Sequence, residues 1–288
     1  MKVIILGANG QLGISFLKNV PNNVEIYSFT KSSLDIRNFK LVDEIVNNIK
    51  PDFLINCSAY TNVNLAEVKI NLANEINYQA VKFLAKSSTK YNFNLIHFST
   101  DYVFDGTKKI YLESDLKNPL NQYGISKSKG EDSIQQFSNN FVIFRVSSLF
   151  SPYGSNFVKT ILNKIEKNNI IEVIDDQLSI PTCANDLTNF VWKKVILQKK
   201  NNLNNIFHYC NKSKPLSWYD FANLIFNNYI KFKIKNAKIT PTSNKNYKQS
   251  AIRPKFVNLD TNKTENYFNF AIPKLEQSLY KCIKILVK

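Results

Sequence analysis

The sequence predicts a doubly wound, mostly parallel α/β sheet with a smaller mixed α/β substrate-binding lobe at the C-terminus. From residue 2 to about residue 147, short apolar runs alternate with amphipathic segments, which is typical of parallel βαβ units. A glycine-rich turn follows the first apolar run directly, and the alternation loosens past residue 150. We therefore expect two domains, 1–150 and 151–288, that are interleaved in space.

Five apolar runs are predicted to be strands, and the segments between them are predicted to be helices because their apolar positions recur at three and four residues. The predicted strands are Val3–Leu6, Val24–Phe29, Asp52–Asn56, Asn94–Ser99 and Phe141–Val146. The predicted helices are Gln11–Asn19, Phe39–Ile49, Leu72–Tyr91 and Gln122–Phe137. A sheet of this kind binds its ligand beyond the carboxyl ends of its strands, so chemistry is expected just after each apolar run.

The C-terminal half is predicted to hold two further strands and three helices. These are strand Ile170–Ile174, helix Ala184–Leu197, strand Ile206–Tyr209, a helix from Ser217 to about Ile230, and a last helix opened by Pro273. Ser217 and Asp220 have the spacing of a capping box, which marks a helix start. The polar segments Asn201–Asn205 and Pro241–Lys248 are predicted to be loops.

Composition favours a soluble globular protein of a reducing cytoplasm. No apolar stretch is long enough for a membrane span, the first apolar run is too short for a signal peptide, and the four cysteines lack paired spacings. The net charge of +16 is spread along the chain and lies mostly on Lys, without a basic run interleaved with aromatics. We therefore expect no nucleic-acid partner and no membrane. His97 and His208 lie in apolar runs and are predicted to be packed core residues.

The turn after the first strand reads Gly7-Ala8-Asn9-Gly10-Gln11-Leu12-Gly13 and opens the first helix. Glycines at these positions permit a tight turn, let backbone N–H groups approach a pyrophosphate, and allow close packing of helix on strand. A glycine pattern between a first strand and a first helix is much stronger evidence than the pattern alone. It predicts a Rossmann-like, dinucleotide-binding site.

Residues after the second strand favour NADPH over NADH, although NADH stays an alternative. The segment Thr30-Lys31-Ser32-Ser33 has no acidic residue where a ribose 2′-hydroxyl is normally held. Lys31 and the neighbouring hydroxyls are suited to a 2′-phosphate, the alternative being that Lys31 is a surface lysine. Asp35 and Ile36 follow and are expected to flank the adenine.

A third set of residues predicts the chemistry. Thr100 ends the fourth strand, and Tyr123 and Lys127 stand four apart on the following predicted helix, where such residues share one face. A nearby ammonium favours the phenolate, so we expect Lys127 to lower the pKa of Tyr123. Tyr123 is then the general acid for a carbonyl oxygen that receives a hydride at its carbon, and Thr100 donates a hydrogen bond to that oxygen.

These motifs resemble those of the extended short-chain dehydrogenases and, more narrowly, those of the dTDP-4-dehydrorhamnose reductase family. The resemblance runs nearly end to end. Its motifs include Asn56–Glu67 (NCSAYTNVNLAE), Ser99–Gly106 (STDYVFDG), Pro119–Glu131 (PLNQYGISKSKGE), Asp176–Thr182 (DQLSIPT) and Arg253-Pro254. Such a set in this order is highly specific for the family and less specific for the sugar.

The resemblance implies further roles for individual residues. For the cofactor, it places Gly10, Gln11 and Leu12 at the pyrophosphate, and Asp35 and Ile36 near the adenosine. It also places Ala59, Tyr60 and Thr61 beside the cofactor, with Tyr123 and Lys127 at the nicotinamide ribose. For the substrate, it places Thr100 and Asp101 at the sugar. Ser148 stands at a substrate position where the family usually has an aromatic residue, and Asn64 replaces a usual Asp. Some members bridge subunits with Mg²⁺ through a glutamate in the first helix, but Ser15 lies in that helix here, so no metal is expected.

The expected function is therefore NADPH-dependent reduction of the 4-keto group of a nucleotide-linked 6-deoxy sugar, dTDP-4-dehydro-L-rhamnose first among them. Because of Ser148 and Asn64, a different nucleotide-linked keto sugar stays open as an alternative. A non-catalytic NADP-binding regulatory subunit is the alternative from another class, and the presence of Thr100, Tyr123 and Lys127 argues against it. Both a monomer and a homodimer are compatible with the sequence.

Overall fold

The computed structural model describes residues 1–199, 203–243 and 250–287, and its central element is a six-stranded parallel sheet. The strands of this sheet are β1 (Lys2–Leu6), β2 (Glu25–Phe29), β3 (Phe53–Asn56), β4 (Asn94–Thr100), β5 (Phe141–Val146) and β10 (Asn205–Tyr209). Their order is β10-β5-β4-β3-β1-β2, and every pairing is parallel. The predicted doubly wound fold is confirmed.

Helices cover both faces of this sheet. The N-terminal helices are α1 (Gln11–Lys18), α2 (Phe39–Ile49), α3 (Val63–Ala66), α4 (Ile70–Asn74), α5 (Ala80–Tyr91) and α6 (Gln122–Phe137). The helix predicted over 72–91 starts earlier and passes through a wide π-helical turn, Glu75–Gln79, between α4 and α5. Such turns lengthen one face of a helix and often lie at functional sites.

Residues from 149 onward form the smaller elements and the last strand of the main sheet. The helices are α7 (Phe157–Lys167), α8 (Ala184–Phe190, continued as a π-helical Val191–Ile196), α9 (Trp218–Tyr229), α10 (Asn262–Phe268) and α11 (Leu275–Leu286). The strands are β6 (Leu149–Phe150), β7 (Ile170–Ile174), β8 (Leu178–Ser179), β9 (Thr182–Cys183), β11 (Leu216–Ser217) and β12 (Lys238–Thr242). The division into domains 1–150 and 151–288 stays a prediction, and β10 joins the two ranges within one sheet.

Several predicted boundaries were right and others were not. The capping box is confirmed, since Ser217 accepts from the Asp220 N–H and the Asp220 side chain accepts from the Ser217 N–H. The loop predicted from Pro241 is wrong at its start, because Pro241 and Thr242 end β12, an edge strand of a two-stranded sheet with β7 in the described part of the chain, where a proline is tolerated. Residues 201–202 and 244–248 of the two predicted loops lie outside the described residues.

The order of the sheet determines where ligands can bind. Strand β1 lies between β2 and β3, so the chain leaves β1 towards one face and returns to β3 from the other. A crevice opens at such a switch point, at the carboxyl ends of the strands. The loops that follow β1 and β3 border this crevice, and the loop that follows β4 lies next to them. In the described part of the chain, no helix is long and apolar enough to cross a membrane.

Candidate active site

The glycine turn after β1 is packed too tightly for larger residues at two of its three glycines. Gly7 has a φ of +74°, and a Cβ there would lie 2.8 Å from the Ser58 backbone nitrogen. A Cβ on Gly13 would lie 2.3 Å from the Gly7 carbonyl oxygen. At Gly10 the nearest atom would be 3.4 Å away, which is ordinary contact. Packing within the protein therefore requires glycine at positions 7 and 13, whereas Gly10 leaves an open surface at the start of α1.

A cavity of about 280 Å³ lies beside this turn and brings together six of the thirteen predicted cofactor residues. It is lined by Gly7, Asn9, Gly10, Lys31, Leu34, Asp35, Ile36, Cys57, Ser58, Ala59 and Ile76. Gly10, which lines this space, is the N-cap of α1 and supplies no side-chain cap, so the first N–H groups of α1 have no side-chain acceptor. An uncapped helix start, a lysine at the rim and apolar walls fit the phosphates and adenosine of a dinucleotide.

Lys31 is an exposed side chain at the cavity, whereas Asp35 is fixed by an ion pair. Lys31 is exposed, and next to it Thr30, Ser32 and Ser33 bond to one another, with 2.8 Å between the Thr30 and Ser32 hydroxyls. Asp35 is paired at 2.6 Å with Arg37, whose guanidinium lowers the Asp35 pKa to about 2. Arg37 was missed by the sequence reasoning. It keeps Asp35 ionised and orients the carboxylate at the wall of the cavity.

The other predicted cofactor residues act through their backbone or hold neighbouring loops. The Leu12 side chain is packed in the main core, so only its backbone is available to a ligand. The Gln11 side chain accepts from Ser151 Oγ at 3.1 Å and from Asn156 Nδ2 at 3.0 Å, which ties the glycine turn to the second half of the chain. Tyr60 is half-buried and Thr61 is exposed.

Asn77, which the sequence reasoning missed, fixes the loop after β3 to the helix that carries the predicted catalytic residues. Its Oδ1 accepts from the Tyr60 N–H at 2.8 Å, and its Nδ2 lies 3.0 Å from both the Tyr60 carbonyl oxygen and Ser126 Oγ. Asn77 belongs to the π-helical turn, and a Cβ on Gly130 of α6 would lie 2.3 Å from its carbonyl oxygen. The cofactor loop and α6 are therefore held together by one buried amide.

Tyr123 and Thr100 meet where α6 packs on the end of β4. A Cβ on Gly124 would lie 2.2 Å from the Tyr102 carbonyl oxygen, so the start of α6 lies directly on the short helical turn after β4. The Asn121 side chain caps α6 by accepting from the Gly124 N–H at 2.8 Å. The Thr100 side chain approaches the Tyr123 hydroxyl closely enough to lower the Tyr123 pKa, against the larger effect of burial. The Tyr102 and Tyr123 rings make an edge contact at 5.9 Å.

Thr100 also belongs to a buried hydrogen-bonded cluster that contains the carboxyl group of Asp101. Its hydroxyl donates to Asp101 Oδ1 at 3.0 Å and accepts from the Tyr102 N–H. Ser147 donates to Asp101 Oδ2 at 2.6 Å. Burial raises the Asp101 pKa to about 6, against the two hydroxyl donors that lower it. Asp101 therefore orients the Thr100 hydroxyl, and the Asp101 carboxyl group itself gains or loses its proton near pH 6.

The electrostatic prediction for Tyr123 is wrong in this structure. Burial raises the Tyr123 pKa above its ordinary value, and the carboxylate of Asp101 raises it further. The Lys127 amine is directed elsewhere: its Nζ donates to the Phe98 carbonyl oxygen at 2.7 Å and lies 3.2 Å from His97 Nε2. The helical spacing placed both residues on α6 correctly, but it could not show that β4 supplies the partners of Lys127.

Ser148 contacts a residue of the second half of the chain, and Arg253 belongs to that half. Ser148 has a φ of +44°, a strained conformation for a residue other than glycine, and its Oγ lies 3.1 Å from Ser179 Oγ. Arg253, part of the Arg-Pro motif, approaches the Tyr102 hydroxyl with its Nη1 at 3.5 Å. It therefore brings a positive charge next to the Tyr102 hydroxyl.

The two histidines and Ser15 are packed inside the protein. His97 and His208 are fully buried and contact Lys127 and Arg145, respectively, which confirms that they are core residues. Ser15 donates to Asn185 Oδ1 at 2.9 Å, so its hydroxyl joins α1 to α8. Among the described residues, no three His, Cys, Asp or Glu side chains are grouped to hold a metal ion.

A parallel sheet with a glycine turn after β1, a strand-end threonine, and a tyrosine and lysine four apart on α6 defines an extended short-chain dehydrogenase/reductase. Comparisons with known proteins narrow this class. The family model described as RmlD substrate binding domain matches residues 1–288. The dTDP-4-dehydrorhamnose reductase of Aggregatibacter actinomycetemcomitans is 35% identical over 275 residues, which cover 93% of each chain. The chain belongs to the dTDP-4-dehydrorhamnose reductase family.

Solved structures agree with this assignment. A dTDP-4-dehydrorhamnose reductase of Bacillus anthracis in complex with NADP superposes with a TM-score of 0.91 at 33% identity, covering 99% of both chains. A dTDP-4-dehydrorhamnose reductase orthologue of Clostridium acetobutylicum has a TM-score of 0.91 at 34% identity, with 99% of both chains covered.

Proposed function

We propose that the protein uses NADPH to reduce the 4-keto group of dTDP-4-dehydro-L-rhamnose, giving dTDP-L-rhamnose. The observations that carry the proposal are the approach of Tyr123 of α6 to Thr100 at the end of β4 and a dinucleotide-type cavity beside the glycine turn, in a chain of this family. The solved relative in complex with NADP supports NADPH as the cofactor. The family supports a cytoplasmic site of action.

The cavity residues present fit the cofactor and divide its binding among them. The uncapped start of α1 at Gly10 would hold the pyrophosphate, Lys31 the 2′-phosphate, and Asp35 and Ile36 the adenosine. Tyr123 and Lys127 would contact the nicotinamide ribose. When bound, NADPH supplies the hydride that reaches C4 of the sugar.

Tyr123 supplies the proton in this scheme. Since burial raises its pKa, Tyr123 keeps its proton at neutral pH, as a general acid must. The proton moves from the Tyr123 hydroxyl to the sugar oxygen as the C4–O double bond becomes single. For Thr100 to orient that oxygen, its hydroxyl hydrogen would turn from Asp101 Oδ1 to the sugar oxygen. Tyr123 is left as a phenolate, which must take up a proton before the next turnover.

The second half of the chain is proposed to supply the sugar and nucleotide side of the site, as residues 151–288 would in a substrate domain. Support comes from Gln11, which joins the glycine turn to Ser151 and Asn156, and from the strained Ser148 beside Ser179. The cation of Arg253 next to Tyr102 suits an anionic, nucleotide-linked substrate.

Turnover with defined substrates tests the proposal. The protein is incubated with NADPH and either dTDP-4-dehydro-L-rhamnose or a keto sugar linked to another nucleotide, and products are identified by NMR while NADPH absorbance is followed. We expect dTDP-L-rhamnose, with a kcat/KM at least about tenfold above that for the other nucleotide. Reduction of only the other sugar would change the substrate assignment. Tight NADPH binding without reduction of any keto sugar would instead support a regulatory binding subunit.

A further inference from the structure

A buried chain of hydrogen-bonding groups lies behind Lys127 and reaches back to the cofactor cavity. Asn56 Nδ2 of β3 lies 3.2 Å from His97 Nδ1 of β4, and His97 Nε2 lies 3.2 Å from Lys127 Nζ of α6. At its other end, Asn56 Oδ1 accepts from the N–H of Ser58, which lines the cavity. Asn56, His97 and Lys127 are each at most 2% exposed. Water therefore cannot replace any of these bonds.

The Ser58 N–H fixes which way the Asn56 amide points. A backbone N–H can only donate, so the Asn56 atom 3.1 Å from it is the carbonyl oxygen. The amide nitrogen of Asn56 then faces His97. An amide nitrogen also only donates, so the His97 Nδ1 that receives it carries no hydrogen.

The hydrogen of His97 consequently lies on the other ring nitrogen. Burial lowers the His97 pKa well below its ordinary value, so the ring is neutral and has one N–H. That N–H is on Nε2, which faces Lys127 Nζ at 3.2 Å. An ammonium has no lone pair and would place donor against donor, whereas a neutral amine accepts the bond. The Lys127 amine can then donate to the Phe98 carbonyl oxygen.

Charged groups around Lys127 are largely balanced among themselves. Glu131 lies one turn further along α6 and raises the Lys127 pKa, but it is paired at 2.8 Å with Arg145 of β5 and at 3.4 Å with Lys117. Asn56 of β3 and His97 of β4 bring no charge. Burial dominates, and the Lys127 pKa falls to about 8.

We propose that His97, locked by Asn56 with its hydrogen on Nε2, is a positioning residue that favours the neutral amine of Lys127. Protonation of Lys127 requires the His97 hydrogen to move from Nε2 to Nδ1, where it meets the Asn56 amide. The Asn56 amide must then turn and leave the Ser58 N–H without its acceptor. The charge of Lys127 is thereby coupled to the loop that lines the cofactor cavity.

The tautomer can be measured directly because the chain has only two histidines. In ¹⁵N-histidine-labelled protein, long-range ¹⁵N–¹H spectra show which ring nitrogen carries the hydrogen. Above about pH 8, near the Lys127 pKa, we expect the hydrogen of His97 on Nε2. His208 is an internal contrast: its Nε2 faces an Arg145 donor, so its hydrogen belongs on Nδ1. A bare Nε2 on His97 under these conditions overturns the proposal.

A near-isosteric substitution should reverse the tautomer. Asn56→Asp keeps an acceptor for the Ser58 N–H and replaces the amide donor by an oxygen that accepts from His97 Nδ1. The hydrogen of His97 should then move to Nδ1, Nε2 should accept from the Lys127 ammonium, and the His208 signals should stay unchanged. An unchanged His97 tautomer in folded Asn56→Asp contradicts the proposal. If this variant fails to fold, the wild-type spectrum still decides.

The effect on catalysis rests on the proposed reduction, whereas the tautomer does not. If the ammonium of Lys127 assists Tyr123, kcat/KM falls as Lys127 loses its proton, and Asn56→Asp should move that fall to higher pH by about one unit or more. A merely structural role for Asn56 would lower kcat/KM without moving the profile, and that outcome counts against the proposal. Absence of turnover in the wild type would refute the function and leave the spectroscopic result standing.

Discussion

Replacing Lys127 by methionine is expected to stabilise the fold while abolishing reduction. The Lys127 side chain is 2% exposed, and burial lowers its pKa to about 8 because the charged form is poorly solvated there. Methionine has nearly the same length and shape without the charge. Residues kept at the expense of stability are expected where function needs them.

The magnitude follows from the pKa shift. A shift from about 10.4 in the unfolded chain to about 8 in the folded one corresponds to about 3 kcal/mol of destabilisation at pH 7, where Lys127 is charged in both states. Lost hydrogen bonds to Phe98 and His97 offset about 2 kcal/mol of the gain. The net stabilisation expected for Lys127→Met at pH 7 is therefore about 1 kcal/mol.

The pH dependence of the stability difference separates the cost of burying the Lys127 charge from effects of packing. Between the folded and unfolded pKa values the unfolded wild type binds more protons, so wild-type stability rises with pH in this window. By about pH 10 most of the penalty has gone, and the advantage of Lys127→Met should have shrunk by about 2 kcal/mol and become a deficit.

Urea unfolding at both pH values measures the difference. Lys129→Met, on the exposed face of the same helix, is the matched control and should differ little from wild type at either pH. A difference between Lys127→Met and wild type that is the same at pH 7 and pH 10 would refute the reasoning. NADPH oxidation with the keto sugar should be lost in Lys127→Met and kept in Lys129→Met.

Three further predictions concern the cofactor site and the buried acid. Gly13→Ala should destabilise the protein by about 1–3 kcal/mol in urea unfolding, because its Cβ would lie 2.3 Å from the Gly7 carbonyl oxygen. Gly10→Ala should instead fold normally and lose NADPH affinity in a fluorescence titration. Equal stability losses in the two variants would contradict this contrast. Lys31→Met should raise the Kd for NADPH about tenfold and leave that for NADH unchanged, and an equal effect on both would remove Lys31 from the 2′-phosphate. Burial raises the Asp101 pKa to about 6, so the folded state holds a proton that the unfolded state has released. The contribution of Asp101 to stability should therefore fall by about 2 kcal/mol between pH 4 and pH 7; the decline should be weaker in Asp101→Asn, and identical curves would contradict it.

The sequence was sufficient for features that depend on neighbours along the chain. The five N-terminal strands, the capping box at Ser217 and the glycine turn were all predicted, because periodicity, cap chemistry and turn chemistry are local. Helix Phe157–Lys167 was not predicted, although Val158, Ile161 and Ile165 carry the helical spacing. The spacing of these three residues is sufficient to indicate the helix.

Other features depend on contacts between distant segments. Strand β12 contains Pro241 and exists because it pairs with β7, which no local pattern indicates. Asn77 reaches Tyr60 and Ser126 only after folding, and the partners of Lys127 come from β4. The prediction that Lys127 lowers the Tyr123 pKa failed for this reason: spacing on one helix gives proximity along the helix, but burial by the sheet decides the electrostatics.

The proton-donating role of Tyr123 is the central claim, and comparison of wild type with Tyr123→Phe tests it most directly. Both proteins are first titrated with NADPH, and single-turnover hydride transfer to dTDP-4-dehydro-L-rhamnose is then measured with the cofactor saturating. We expect similar NADPH affinity and a loss of at least about a hundredfold in the transfer rate of Tyr123→Phe. A Tyr123→Phe protein that binds NADPH and transfers hydride at the wild-type rate would contradict the account.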